Sequence, residues 1–201
     1  MKGVILLNGE PPENFITVQN DTVVVCCDGA LKWAKQKINK IDEIVGDFDS
    51  LGYIPENAIV FPVEKNFTDG ETALDILIKK GVEKVEIYGG GGGREDHFFG
   101  NMQLLFKAYK KGVKAVMHTA QSDIFCAGKN FEIQKIKGKT FSLAPVGYSA
   151  HIINSSGVKY PLNNLTLHAG SCRGISNIAL SDKVEINCDK GAVYVFINES
   201  V

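Results

Sequence analysis

Up to residue 120 the chain alternates short apolar runs with helical stretches, and beyond that point no helical period survives. This change of period constrains the fold more than any other feature. Residues 4–7, 23–27, 44–46, 58–63, 84–88 and 114–118 have the apolar character of buried strands. Between them, residues 30–38, 70–80 and 95–111 read as helices. The clearest, 95–111, puts Phe98, Met102, Leu105, Phe106 and Tyr109 on one face. It opens on acids and closes on lysines before Gly112, as the helix dipole favours. Such alternation predicts an α/β first domain, residues 1–120, with a parallel, Rossmann-like sheet and helices on both sides. Short strand candidates then follow one another at 131–136, 140–144, 151–154, 165–167, 177–180, 183–187 and 192–197, separated by Gly and Asn turns. They predict an all-β second domain, residues 121–201, built as a sandwich or barrel.

Bulk properties exclude several classes of function. The formal net charge is −1, so no basic field points to nucleic acid. No apolar run approaches the roughly 20 residues of a membrane span, and the N-terminal run is too short for a signal peptide. The five cysteines include no C-x-x-C pair. The expectation is a reduced, cytoplasmic protein without a disulfide framework or zinc site. Each half is small enough to favour a partner surface, which makes a homodimer plausible.

Chemistry-bearing residues fall at the ends of the first-domain strands, where parallel sheets bind ligands. Asp28-Gly29 follows the second strand, Gly46-Asp47-Phe48-Asp49-Ser50 the third, and Thr68-Asp69 the fourth. The fifth runs into five glycines, 89–93, and then Arg94-Glu95-Asp96-His97. Glycine lets backbone N–H groups approach an anion, and the helix starting at Glu95 adds its positive end. Four acidic groups on one rim repel each other unless they share a cation, and magnesium with substrate phosphates suits that rim. Taken singly, each motif has a structural reading too. Asp28-Gly29 makes a turn. Asp47 and Asp49 share one face of an extended strand end. Thr68 and Glu71 form a capping box, with Asp69 a first-turn acid. The glycines make a flexible loop, and His97 and Asn101 make a surface pair on one helix face. His118, His151 and His168 read as structural. The glycine run lacks the Gly-Lys-Ser/Thr ending of a P-loop and the third spaced glycine of a dinucleotide fingerprint.

In order along the chain, these pieces resemble the thiamine pyrophosphokinase (thiamin diphosphokinase) family. The residues that carry the resemblance are Asp28-Gly29, Gly46-Asp47-Phe48-Asp49-Ser50, Thr68-Asp69, Gly92-Gly93-Arg94-Glu95-Asp96-His97 with Asn101, and Ser176-Asn177. The segment 157–162 resembles the family's β-domain motif. There are departures. Asn66 stands where the family often has an acid, Ala30 where a second glycine is common, and Tyr160 where a tryptophan is frequent.

The resemblance implies transfer of pyrophosphate from ATP to the hydroxyl of thiamine, with AMP released. It also implies a homodimer whose site joins the α/β half of one subunit to the β half of the other. Asp47, Asp49 and Asp69 are expected to hold magnesium, with Asp96 close by. Asp28 and Gly29 help place the nucleotide or metal. Ser50, Thr68, Gly92, Gly93, Arg94, His97 and Asn101 bind ATP, and Ser176 and Asn177 bind thiamine. The base for the hydroxyl stays open between a rim aspartate and His97, with the aspartate favoured because it also sits near the metal. The alternatives are a pyrophosphokinase acting on another alcohol, such as a hydroxymethylpterin, and a regulator that binds nucleotide or thiamine without turnover.

Overall fold

The computed structural model describes residues 1–62, 64 and 66–198. The chain divides into two compact units, Met1–Ala120 and Gln121–Val201. The division falls where the helical period ends in the sequence.

In the first unit, β1 (Lys2–Leu6), β2 (Thr22–Cys27), β3 (Glu43–Gly46), β4 (Ile59–Val60), β5 (Lys84–Tyr88) and β6 (Lys114–His118) alternate with α1 (Leu31–Lys37), α2 (Asp69–Lys79) and α3 (Glu95–Lys110). Every strand pairing here is parallel, in the order β6-β5-β1-β2-β3-β4. The register sets Leu6 opposite both Cys26 and Tyr88, Cys27 opposite Val45, and Tyr88 opposite His118. The carboxyl ends of the central strands are therefore level. Order reverses at β1, which has β2 on one side and β5 on the other, and such a reversal opens a crevice at the strand ends.

Alternation across the strands gives two apolar faces. Val4, Leu6, Val24 and Cys26 pack with Ala30, Leu31, Ala34 and Ile38 beneath α1. Ala73, Leu74 and Leu77 of α2 and Leu104, Leu105 and Ala108 of α3 are buried as well. Two expected elements differ from the sequence reading. The start of the first helix is a short 3-10 turn, Asp28–Ala30, ahead of α1. The strand expected over 58–63 reduces to Ile59–Val60, both exposed, and Val63 lies outside the described residues.

The second unit holds β7 (Ser122–Gln134), β8 (Thr140–Pro145), β9 (Ser149–Ser156), β10 (Leu165–His168), β11 (Asn177–Ile178) and β12 (Lys183–Asn198). All of their mutual pairings are antiparallel. Expected strands 183–187 and 192–197 are one element, β12. Its first half pairs with β9 and its second half with β8, while β7 runs along its other side. A bulge between Asn187 and Ala192 makes this possible by bending the strand. Gly191 sits in the bend at φ +75, and a Cβ there would strike the Ser149 carbonyl. A turn signal inside a strand reads as a break in sequence, which is why one strand looked like two. The strand expected over 131–136 likewise begins much earlier, at Ser122. Phe141, Leu143, Ile152, Val184, Ile186, Val193 and Val195 form the core.

None of the five cysteines is in a disulfide. Burial, helped by the charge of Asp28, pushes Cys26 up to about 12, and burial alone raises Cys126 to about 12. No helix among the described residues is long and apolar enough to cross a membrane.

Candidate functional site

Loops leaving β1, β2, β3 and β5, with the first turns of α2 and α3, surround a cleft of about 640 Å³ in the first unit. Its lining includes Asp28, Asp47, Asp49, Ser50, Thr68, Asp69, Gly93, Arg94, Asp96, His97 and Asn101. The volume is that of a pocket for one small-molecule ligand.

Asp28, Asp47 and Asp49 form its acidic wall. One carboxylate oxygen from each lies within 4.8 Å of the others. Local backbone strain builds this group. Residues 47–49 are not extended, as their alternation suggested. Phe48 has φ +63 and is 3% exposed, so its ring is driven into the core while the flanking carboxylates swing together. Asp28 is also left-handed, at φ +39. Its Oδ2 accepts a hydrogen bond from the Ser50 hydroxyl at 2.5 Å. Its Oδ1 is buried with no hydrogen-bond partner among the described residues. A buried, unsatisfied carboxylate oxygen beside two more carboxylates is a donor set for a hard cation such as magnesium.

Asp69 lines the same cleft without joining that group of three. It is the first residue of α2, held by a full capping box. Thr68 Oγ1 accepts from the Glu71 amide at 3.2 Å, and Glu71 Oε2 accepts from the Thr68 amide at 3.1 Å. The N-cap Thr68 thus also lines the cleft, so the cap leaves Thr68 and Asp69 at its rim.

Arg94 and Asp96 pair with each other. Arg94 Nη2 donates to Asp96 Oδ2 at 2.6 Å and Nε to Oδ1 at 3.1 Å. The Arg94 hydrogen bond holds the Asp96 carboxyl below its usual range, helped by the His97 amide at 2.9 Å. Both side chains are mostly exposed, so their geometry is open to a bound ligand.

The glycine loop is tied down through its carbonyls. Leu7 N donates to Tyr88 O, Gly9 N to Gly89 O and Glu10 N to Gly91 O, each at 2.8 Å. Asn101 Nδ2 donates to Gly90 O at 2.9 Å. The β1–β5 pairing thereby continues past both strand ends. A Cβ at Gly9 would strike the carbonyls of Gly89 and Gly91. Gly29 and Gly92, expected at the ligand, are absent from the lining. Gly29 is packed against Asn8 and Ser50, and Gly92 against the Glu10 side chain. Asn66 is exposed and lines no part of the cleft, and Lys65 beside it lies outside the described residues.

Sequence reasoning missed Leu7, Asn8 and Gly9, which also line the cleft. Asn8-Gly9 is a turn pair directly after the first strand. On a parallel sheet that position is on the rim, and this was the available signal.

In the second unit, Ser176-Asn177 meets the segment 157–162. Val158 bridges Ala179, Lys159 N donates to Ile178 O at 2.9 Å, and Leu180 N to Gly157 O at 2.8 Å. Asn177 is 4% exposed. Its Nδ2 donates to Tyr160 O at 2.7 Å, and its Oδ1 accepts from the amides of Tyr160 and Ile178. Its amide is thus largely spent on holding Tyr160 in place. Ser176 is exposed, left-handed at φ +61, and anchored by its amide on Ser142 Oγ at 3.0 Å. Tyr160 is 53% exposed, with Lys159 Nζ 5.5 Å from its ring centroid. The three isolated histidines all have partners. His118 stacks on Tyr88, His168 meets the Tyr148 ring edge-on, and His151 pairs with Asp189.

A family model described as thiamin pyrophosphokinase, catalytic domain, matches residues 16–117. A second, the thiamin pyrophosphokinase vitamin B1 binding domain, matches residues 130–193. The chain is 35% identical to a thiamine pyrophosphokinase of Bacillus subtilis (strain 168) over 160 residues, 74% of each chain. Several crystal structures resemble it over its full length. The Bacillus subtilis thiamine pyrophosphokinase gives a TM-score of 0.84 at 28% identity, with all of that chain covered. The Geobacillus thermodenitrificans thiamin pyrophosphokinase gives 0.81 at 25% identity, with 98% of that chain covered.

Proposed function

The chain belongs to the thiamin pyrophosphokinase family, and on that premise we propose how its two units share the work. The reaction transfers the pyrophosphoryl group of ATP to the hydroxyl of thiamine, giving thiamine diphosphate and AMP. The first unit, read as a Rossmann-like layer, holds ATP in the cleft at its strand ends. The second, read as a β-sandwich, presents thiamine. The observation that carries this division is that the converging Asp28, Asp47 and Asp49 share one cleft with the glycine loop and Arg94.

Asp28, Asp47 and Asp49 are the residues we assign to magnesium, with Asp69 facing the same space. The unsatisfied Asp28 Oδ1 supports that fit. Magnesium bound there would neutralise charge on the phosphate oxygens as the transfer proceeds. Arg94 turns its planar guanidinium from Asp96 to the triphosphate, a better bidentate partner. That exchange releases the Asp96 carboxylate toward the cleft. Backbone amides of the glycine loop and the positive end of α3 complete the anion site.

The thiamine hydroxyl oxygen attacks the β-phosphorus. The bond from that phosphorus to the α,β-bridging oxygen breaks, and AMP leaves with the electron pair. A rim carboxylate takes the hydroxyl proton. Positioning and charge supply most of the rate enhancement in such transfers. Ser176 offers thiamine its hydroxyl, while Asn177 acts mainly by fixing the Tyr160 segment. We extend the proposal to a homodimer in the cytoplasm, with the thiamine face supplied by a second copy.

The test is product analysis of purified protein with ATP, magnesium and thiamine. AMP appearing in step with thiamine diphosphate is the expected result. ADP with thiamine monophosphate would overturn it, as would AMP release with a hydroxymethylpterin and none with thiamine.

A further inference from the structure

Four consecutive carbonyls, those of Tyr88, Gly89, Gly90 and Gly91, all accept hydrogen bonds from protein donors. Three of these donors are backbone amides of residues 7–10, contributed by continuation of the strand pairing. The Gly90 carbonyl alone is held by a side chain, the Asn101 amide of α3 at 2.9 Å. The arrangement matters because a peptide has two ends. With its oxygen turned into the protein, the Gly90–Gly91 peptide has its N–H pointing the opposite way. Among the described residues, the amides of Gly90, Gly91, Gly92 and Gly93 donate to no protein acceptor. Gly90, Gly91 and Gly93 line the cleft. A carbonyl facing a triphosphate would repel it, whereas an amide attracts it, so one peptide rotation changes the sign of the local field. Glycine imposes almost no barrier to that rotation.

We propose that Asn101 is a positioning residue which locks the Gly90–Gly91 peptide in its anion-binding orientation. It acts on phosphate through the glycine backbone. The inference rests on the ATP reading of the cleft and names the residue that keeps the loop competent before nucleotide arrives. The long glycine run then has a counterpart on the facing helix, one turn beyond His97.

Two variants test it. Asn101→Ala removes the donor, and Asn101→Asp keeps the shape but offers only acceptors. In nucleotide-free protein, both should shift the Gly91 amide resonance in 15N–1H spectra. Both should weaken binding of inorganic tripolyphosphate about tenfold, the effect of one hydrogen bond of ordinary strength. Adenosine affinity should stay at its wild-type value, and the thermal midpoint should fall by only about 2–4 °C, the shift of one lost hydrogen bond. An unmoved Gly91 resonance with lost tripolyphosphate affinity would make Asn101 a direct phosphate ligand and overturn the inference. Unchanged tripolyphosphate affinity, or an equal loss for adenosine, would also overturn it. Failure of the wild-type protein to bind tripolyphosphate would contradict the ATP reading itself, whatever the amide spectra show.

Discussion

Asp47 and Asp49 meet because of the residue between them. Phe48 is held left-handed, which costs a non-glycine residue about 1–2 kcal/mol. Burying its ring contributes roughly 1.5–3 kcal/mol, enough to offset that cost. Sequence alternation predicted that the two carboxylates share a face. They do converge, but through a turn that no propensity rule anticipates, since a buried aromatic at φ +63 is a tertiary effect. Asn177 teaches the complementary lesson. The motif points this polar residue at a substrate, and in the structure its amide is committed to the Tyr160 backbone. Ser176 beside it is exposed and also left-handed, so its hydroxyl is the group available to a ligand. Ser176→Ala should therefore raise KM for thiamine about tenfold while leaving KM for ATP near its wild-type value. Steady-state kinetics with each substrate varied in turn checks this, and equal rises in both constants would count against Ser176 as a thiamine ligand.

At the scale of elements, the parallel strands and α2 and α3 are legible because each carries an unmixed period and its own stop signal. β5 and β6 begin and end where the apolar runs do. β12 is not legible, because its bend places Asp189, Lys190 and Gly191 inside a strand. That bend is tied down by His151 of β9, whose Nδ1 lies 2.6 Å from Asp189 Oδ1 and whose Nε2 lies 3.2 Å from Asn164 Oδ1. Two acceptors favour the imidazolium, and the Asp189 hydrogen bond, then the Asn164 one, raise the His151 pKa above 6.5. The Asp189 carboxyl is correspondingly lowered by His151. The sign follows for each. The histidine's contribution is complete below 6.5 and is lost as pH rises through its raised folded value. The aspartate's contribution is complete above its ordinary value and is lost as pH falls through the lowered one. Urea midpoints should thus decline from mildly acidic to alkaline pH in the wild type, and the slope should flatten in Asp189→Asn. An equally steep decline in that variant would show that the pair is not responsible.

For the whole molecule, neither the cleft nor the Tyr160–Ser176 face can be read from one stretch of chain. Loops after four strands and the starts of two helices build the cleft, so each motif is weak alone and informative in order. The strand-end rule located most of the rim, and it failed at Asn8-Gly9 only because no charged residue drew attention there. What stayed out of reach was which carboxylates meet. Asp28 joins Asp47 and Asp49 through the register of β2 against β3, a distance that no sequence spacing encodes. The role proposed for these carboxylates is to carry the transfer. AMP release from ATP, magnesium and thiamine by Asp47→Asn and Asp49→Asn tests it most directly, with thermal midpoints measured in parallel. Turnover should fall by about 10³-fold while the midpoints stay close to wild type. Near-normal magnesium-dependent turnover in either variant would remove that carboxylate from the transfer.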